Sequence, residues 1–426
     1  MLRTNWPNGT EARTAVFYGW RVVGAAFVLA VFGWGMGFYG PPVFLSILSQ
    51  TRSWPLALIS TAVTVHFLVG AAVGANLPKI HRCFGIAAVT KIGAVCMAAG
   101  VFGWAICTAR WQLLLASMLS GAGWGTMSAA AINAIVSPWF VRARPAALGM
   151  AYNGGSIGGV IFSPLWVAAI GALGFATAAT IIGIVMVVTT WALADLFFSR
   201  TTQQMGLAPD GDPVDVPMAV PIARAAKSLP GMLLWSDWKF LTLSAGMALG
   251  LFAQIGLVAH LFSLLVPALG AQQAGLAMAG VTAMAIIGRT LLGCAMPPRA
   301  DRRLLASIGY VAQLAGSVAF IGAAGTSVPL LLLGVVLFGA GFGNATSLPP
   351  LIAQREFAEE DVPRVVALIV GIAQAGYAFA PAAFGLVREF AATAPDMAGG
   401  AAPAVFIAAA CTQTLAICAF LIGRKR

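Results

Sequence analysis

Long apolar segments recur from one end of this chain to the other, and they constrain its fold more than any other feature. Twelve segments reach the ~20 residues that a helix needs to cross the hydrocarbon core of a bilayer. Only 9% of the 426 residues are charged, and the alternating ~10-residue strands of a membrane barrel are not seen. The sequence therefore predicts an all-α integral membrane protein embedded in a lipid bilayer. The predicted spans are 19–48, 56–78, 86–108, 111–137, 145–172, 174–197, 240–266, 275–296, 304–325, 328–350, 363–387 and 401–423.

The basic residues are distributed unevenly between the two sides of these spans. The net charge is +11, but with both termini on one side that side receives 20 Lys and Arg and the other only 3. Such an asymmetry is typical of the cytoplasmic side of a membrane protein. We therefore expect cytoplasmic termini and a bacterial inner (plasma) membrane location, with no role in binding nucleic acid. One basic residue, Arg289, belongs to neither side.

The spans fall into two related halves. The stretch 198–237 contains GLAPDGDPVDVP, a composition typical of a linker, and we expect it to lie in the cytoplasm. It separates an N-terminal half (1–197) from a C-terminal half (238–426). GAGWG at 121–125 recurs as GAGFG 218 residues later, and Trp20 and Trp238 share the same offset. Parallel repeats of this kind are typical of secondary transporters, whose substrate site lies near the membrane midplane between the halves.

Arg289 stands in AMAIIGRTLLG, deep in the eighth predicted span. A guanidinium stays charged, and a charge at mid-membrane costs at least ~2.5 kcal/mol. The position 218 residues earlier is Ala71, so the fold does not require a cation there. No Asp or Glu lies deep in any predicted span. We therefore predict that Arg289 binds an anionic substrate. The alternative is a structural role, in which Arg289 pairs with backbone carbonyls or lipid phosphate.

The chain resembles the major facilitator superfamily, and within it the branch of monocarboxylate transporters and oxalate:formate antiporters. The superfamily element is Gly293 followed by RADRR at 299–303, which recurs in degraded form as Gly74 followed by HRCFG at 81–85. The branch elements are YGWRVV at 18–23, PWFVRARPAALGMAYNGGSIGG at 138–159 and GRTLLG at 288–293. The resemblance implies that Arg289 binds a substrate carboxylate. It also implies that the two loops act as conformational locks through Asp301, Arg302, Arg303, His81 and Arg82.

Three positions depart from the pattern that the resemblance implies. Ala285 stands where proton-coupled animal members have an Asp, Phe38 stands where they have a Lys, and His81 replaces the usual Asp of the first lock loop. Symport of lactate with a proton is therefore not carried over. His66 and His260 are left as candidates for proton coupling, because histidine alone titrates unaided near neutral pH. The alternative for each is a neutral imidazole hydrogen-bonded between helices.

Neutral polar side chains in the spans are further candidates for contacts with the substrate. Each of them is alternatively an ordinary hydrogen bond between helices. The candidates are Tyr152, Asn153, Asn133, Gln254, Gln374 and Tyr377.

No enzyme, ATPase or phosphate-binding motif occurs in the chain, and the six cysteines have no metal-ligand spacing. We therefore expect no enzymatic activity, cofactor or metal. The predicted function is secondary transport of a small organic anion, with a proton or counter-anion as coupled species and a monomer as the working unit. The alternatives are a transporter of drugs or neutral metabolites and a membrane sensor or scaffold that does not transport.

Overall fold

A computed structural model of the chain describes residues 17–211, 233–296, 300–358, 360–393 and 402–424. Residues 212–232 of the expected linker and Arg299 of the second lock loop lie outside this part of the chain. Within it the protein is almost entirely helical. The helices are α1 Tyr18–Gly37, α2 Gly40–Arg52, α3 Leu56–Phe84, α4 Ile86–Ile106, α5 Arg110–Met127, α6 Ala129–Val136, α7 Arg144–Leu173, α8 Phe175–Leu193, α9 Trp238–Leu269, α10 Ala271–Ala295, α11 Arg302–Ala323, α12 Val328–Phe342, α13 Asn344–Glu356, α14 Val362–Ala378, α15 Ala380–Thr393 and α16 Ala402–Arg424.

The predicted all-helical membrane fold is confirmed. Eleven helical segments of the described residues are long and apolar enough to cross a membrane. The predicted fourth span is a further apolar segment, divided by a break at Ser128 into α5 and α6. Breaks at Phe38, Gly343 and Phe379 divide the first, tenth and eleventh spans in the same way. Several boundaries differ from the sequence analysis, because α3 continues to Phe84, α13 to Glu356 and α15 to Thr393. The last extension places Glu389 on the helix.

Glycines bring the helices into close contact at equivalent places in the two halves. A Cβ on Gly121 would lie 2.4 Å from the carbonyl oxygen of His66, and one on Gly125 would lie 2.7 Å from that of Gly70. In the second half, a Cβ on Gly343 would lie 2.2 Å from the carbonyl oxygen of Ala285. Small residues allow this approach of helix backbones, which favours packing in membranes. The α3–α5 packing is thereby repeated by α10 and α12.

The two halves meet along α7 and α10, and at one end of the molecule α2 packs on α9 while α3 packs on α15. These last contacts lie at the end of the bundle away from the lock loops; we call it the opposite face, and the end with the lock loops the basic face. At the basic face, α6 and α13 pack chiefly against helices of their own halves. The contacts of α2 and α3 therefore join the halves at the opposite face, and α6 and α13 add little to the contact between them at the basic face.

Asp210, in the first part of the linker, binds the loop that precedes α7. Its carboxylate accepts backbone N–H groups of Val141, Arg142 and Ala143 at 3.0, 2.8 and 3.2 Å. Burial raises the pKa of Asp210, but these donors and the Arg142 side chain outweigh it and hold the pKa below its ordinary value. The start of the linker is thereby attached to the N-terminal half.

Candidate functional site

Arg289 lies on α10, half-buried at the junction of the two halves. Its Nε donates to the carbonyl oxygen of Gly343 at 3.1 Å, at the break between α12 and α13. Its Nη1 donates to Oδ1 of Asn153 on α7 at 3.4 Å. No Asp or Glu of the described residues forms an ion pair with it. The site therefore places Asn153 of the N-terminal half and the Gly343 carbonyl of the C-terminal half beside the same cation. This cation has no carboxylate partner among the described residues.

Tyr39 and Thr282 lie beside this site. Thr282 precedes Arg289 by seven residues, which is two turns of the same helix face. The Tyr39 side chain lies beside Thr282 and close to Arg289. A Cβ on Gly159 of α7 would lie 2.5 Å from the Tyr39 ring and 2.7 Å from Thr282 Oγ1. Residues from α7, α10 and the α1–α2 break therefore meet at this point.

The other predicted polar residues do not all gather around Arg289. The Tyr152 hydroxyl donates to the Ala129 carbonyl at 3.2 Å, and Asn133 Oδ1 accepts a hydrogen bond from Ser137 Oγ at 2.7 Å. These contacts lie within the N-terminal half, near the α5–α6 break. The structure gives neither residue a contact with Arg289.

Gln374 and Tyr377 are close neighbours on one face of α14. The Tyr377 ring packs edge-on against Phe67 of the other half at a centroid distance of 6.1 Å. Gln254 is only 2% exposed, and its Nε2 donates to the Phe342 carbonyl oxygen at 3.0 Å. Gln254 therefore binds the carbonyl next to the one that binds Arg289, and it is itself buried.

Both histidines are buried and hydrogen-bonded. His66 lies between the carbonyl oxygen of Gly37 and Ser120 Oγ, each at 2.9 Å from a ring nitrogen. Because a carbonyl only accepts, Nε2 of His66 carries a proton. His260 donates through Nε2 to the Pro381 carbonyl at 3.0 Å, while its Nδ1 has no partner among the described residues. Both arrangements suit neutral imidazoles that bridge helices.

The second lock loop is fastened within its own half. Asp301 caps α11 by accepting the backbone N–H groups of Arg303 and Leu304, and its carboxylate pairs with Arg424. Arg303 is 2% exposed, and its Nε and Nη2 bind the two carboxylate oxygens of Glu356 at 2.7 and 2.8 Å. The loop is thereby joined to α13 and α16.

Arg302 belongs to the same loop, and His81 and Arg82 form its degraded counterpart. Nη1 of Arg302 donates to the Leu351 carbonyl. Arg82 is exposed, and His81 Nε2 is buried without a partner among the described residues. The first loop therefore lacks the ion pairs that fasten the second.

Polar contacts across the halves close the opposite face. Thr64 Oγ1 of α3 accepts the backbone N–H of Ala382 at 3.2 Å, in the first turn of α15. The Ala57 N–H, in the first turn of α3, donates to Glu389 Oε2 at 3.2 Å. These N–H groups lack partners within their own helices, so each helix end is satisfied by a side chain of the other half.

The two helices also touch closely between these hydrogen bonds. A Cβ on Gly385 would lie 2.5 Å from Ser60 Oγ. Beside this contact an apolar space of about 10 Å³, lined by Phe38, Phe67 and Val258 among others, has room for about one water molecule. We call the α3–α15 contact through Thr64, Ser60 and Gly385 the seam.

Sequence reasoning missed Tyr39, Thr282 and the seam. Thr282 carried a usable signal, since it shares a helix face with Arg289 at a spacing of seven residues. For Tyr39, the neighbouring Gly37, Gly40, Pro41 and Pro42 favour a loosened helix end, but they do not indicate what the Tyr39 side chain contacts. The seam joins residues more than 300 positions apart, and its hydroxyls resemble any Ser or Thr in a membrane helix.

The comparisons with known proteins agree with this architecture. The family model described as Major Facilitator Superfamily matches residues 25–381. No curated protein matches the sequence. Among solved structures, the nucleoside transporter NupG superimposes with a TM-score of 0.72 at 14% identity, covering 95% of this chain and 99% of NupG.

A bacterial homolog of the human lysosomal transporter Spinster, in an inward-facing and occupied conformation, has a TM-score of 0.70 at 15% identity. The alignment covers 96% of this chain and 98% of that protein. At identities this low, the superpositions establish a shared fold and nothing more specific. The family match extends over most of the chain, from α1 to the start of α15, and includes both halves and the residues around Arg289. The chain therefore belongs to the Major Facilitator Superfamily and is a membrane transporter rather than an enzyme.

Proposed function

We propose that this transporter carries a small organic anion, in particular a carboxylate, by alternating access, with Arg289 as the electrostatic anchor. The observation that carries the proposal is a guanidinium between the two halves with no carboxylate partner among the described residues. A charge in the membrane interior is costly unless it meets an opposite charge or water. A substrate anion supplies that charge during transport and is released afterwards.

The hydrogen-bond inventory of Arg289 supports this role. A guanidinium has five N–H donors, and two of them are used by Gly343 and Asn153. Three donors remain for a substrate, and two parallel N–H groups match the geometry of a carboxylate. The contact with the Gly343 carbonyl also fits the structural alternative. Unlike the structural alternative, the substrate role also accounts for the three free N–H donors of Arg289 and for the contact with Asn153 of the N-terminal half.

A thermal-shift screen of the purified protein tests the substrate class. We expect acetate, lactate, pyruvate, oxalate or benzoate to raise the melting temperature at millimolar concentration, because a ligand that binds only the folded state stabilises it. Uridine serves as the neutral comparison, since the structurally similar NupG is a nucleoside transporter. Stabilisation by uridine and by none of the carboxylates would favour the alternative of a neutral substrate.

We infer that proton coupling is either absent or depends on His66 or His260. No acidic residue of the described chain lies near Arg289, and both histidines are fully buried. In proteoliposomes, replacing both with Gln should leave exchange of anions intact and remove accumulation driven by a pH gradient. Unchanged accumulation in the double variant would exclude the histidines. A loss of exchange as well would point to their role in holding helices together.

We propose a location in the bacterial inner membrane with the basic face and both termini in the cytoplasm, and a monomeric transporter. The excess of Lys and Arg on that face supports the orientation. Tags placed at residues 1, 215 and 426 should all be inaccessible from outside intact cells. Surface labelling of any one of them would contradict this orientation.

A further inference from the structure

The break between α12 and α13 is held by side chains from three other helices. Three consecutive carbonyl oxygens at the end of α12 each accept a side-chain N–H. Gln313 of α11 donates to Gly341 at 3.2 Å, Gln254 of α9 donates to Phe342 at 3.0 Å, and Arg289 of α10 donates to Gly343 at 3.1 Å. The end of α12 carries partial negative charge, so these three carbonyls attract donors and the cation together.

The equivalent break in the N-terminal half is organised differently. There, Thr126 Oγ1 donates to the Gly123 carbonyl and Ser128 Oγ donates to the Gly125 carbonyl, so the break is satisfied by its own segment. The equivalents of the three long donors are all apolar. Ala71 corresponds to Arg289 and Met36 corresponds to Gln254, each 218 residues earlier. Met97 corresponds to Gln313 by its contact, because Met97 packs on Gly123 as Gln313 packs on Gly341.

The two glutamines are costly to the fold. Gln313 and Gln254 are 0% and 2% exposed, and the Oε1 atom of each is buried without a partner among the described residues. An unpartnered buried amide oxygen is destabilising. The first half folds with Met at both places, so packing alone does not explain why the second half keeps glutamines.

We propose that Gln313 and Gln254 are positioning residues for Arg289. They fix the carbonyls on either side of the α12–α13 break, and the Gly343 carbonyl in turn fixes Nε of Arg289 and the direction of its free N–H groups. This inference rests on the proposed function, because it explains how the anchor for the substrate anion is aimed. Neither glutamine touches the substrate. Gln254 therefore moves from the predicted binding residues to this supporting role.

The test measures how freely Arg289 reacts with phenylglyoxal, an arginine reagent, using mass spectrometry of the peptide that contains it. Gln313→Met and Gln254→Met restore the residue of the first half. Each should raise the rate of modification of Arg289 by about five-fold, the factor that corresponds to one hydrogen bond of ordinary net strength. Gln413→Met is the matched control. Gln413 is also 0% exposed, but it accepts a hydrogen bond from Ser317, and its amide nitrogen binds no carbonyl of the break.

The outcomes separate this inference from the proposed function. Equal rates for Arg289 in the wild type, the two break variants and Gln413→Met would overturn the positioning role, whatever the substrate is. Protection of Arg289 by the panel of carboxylates, measured in the wild type, tests the anion site independently. Faster modification in the break variants without any protection by carboxylates would retain the positioning role and reject the anion site. Gln254→Lys has an N–H donor, which Gln254→Met lacks. Its rate of modification of Arg289 should therefore lie closer to that of the wild type than the rate of Gln254→Met does.

Discussion

Arg289→Gln should weaken carboxylate binding by roughly ten- to a hundred-fold or more, because charge-assisted hydrogen bonds contribute about 1.5–3 kcal/mol each. Arg289→Lys should fall between this variant and the wild type. It keeps the charge but loses the planar fork that holds a carboxylate with two parallel bonds. Folding should survive both changes, since Ala71 occupies the equivalent place in the first half. Binding and melting temperature are measured on the same preparations.

Arg110→Gln is the matched control for this prediction. Arg110 is exposed at the start of α5, far from the α10–α12 contact, so its loss should leave carboxylate affinity near that of the wild type. The structural alternative for Arg289 predicts a different pattern. If its main role is to hold the Gly343 carbonyl, Arg289→Gln would lower the melting temperature and leave affinity in the surviving protein unchanged. That result would remove the anchor from the proposed mechanism.

Gly385→Leu should slow transport by favouring a conformation that is open to the opposite face. The Cβ alone would lie 2.5 Å from Ser60 Oγ, and extra atoms in a packed contact cost typically 1–3 kcal/mol. A cost of that size disfavours the closed seam by about five- to 150-fold. We expect the rate of transport to fall by at least about five-fold, because each cycle requires the seam to close. Carboxylate binding should remain measurable.

Thiol accessibility reports the state of the seam directly. Val63 lines the small apolar space next to the seam and is 1% exposed, so a cysteine introduced there, in a background without the natural cysteines, is shielded in the wild type. Gly385→Leu should make this cysteine reactive toward an impermeant maleimide from the opposite face. The control Gly371→Leu adds the same side chain at an open position of α14 and should leave it shielded. Equal labelling in the two variants would mean that the seam is not the gate.

The architecture could be predicted because the features that determine it are either local in the sequence or repeated at a fixed offset. Apolar length marked the helices, the distribution of Lys and Arg ordered the loops, and the 218-residue offset related the halves. The breaks at Ser128, Gly343 and Phe379 were not predicted, because a helix in lipid and a helix with one broken turn have the same apolar composition. At Gly343, the cost of the broken turn is met by distant side chains such as Arg289 and Gln254, which do not mark the break locally.

The candidate site was predicted in part for a similar reason. Arg289 was identified because a cation in an apolar span is unusual wherever it lies. Asn153 was included among many neutral polar residues, and only the contact between α7 and α10 distinguishes it from Asn133. Gln313 was not considered, since a buried glutamine in a membrane helix is ambiguous until its partner is known. Its significance comes from three adjacent carbonyls on a neighbouring helix, and no sequence spacing encodes that contact.

Counterflow in proteoliposomes tests the central claim most directly. Vesicles that contain the purified transporter are loaded with one unlabelled carboxylate of the panel and diluted into medium with a trace of the labelled form. We predict transient accumulation of label by the wild-type protein, loss of accumulation in Arg289→Gln and retention in Arg110→Gln. Accumulation of labelled carboxylate by Arg289→Gln at the wild-type rate, or of uridine and no carboxylate by the wild type, would contradict transport of an organic anion anchored by Arg289.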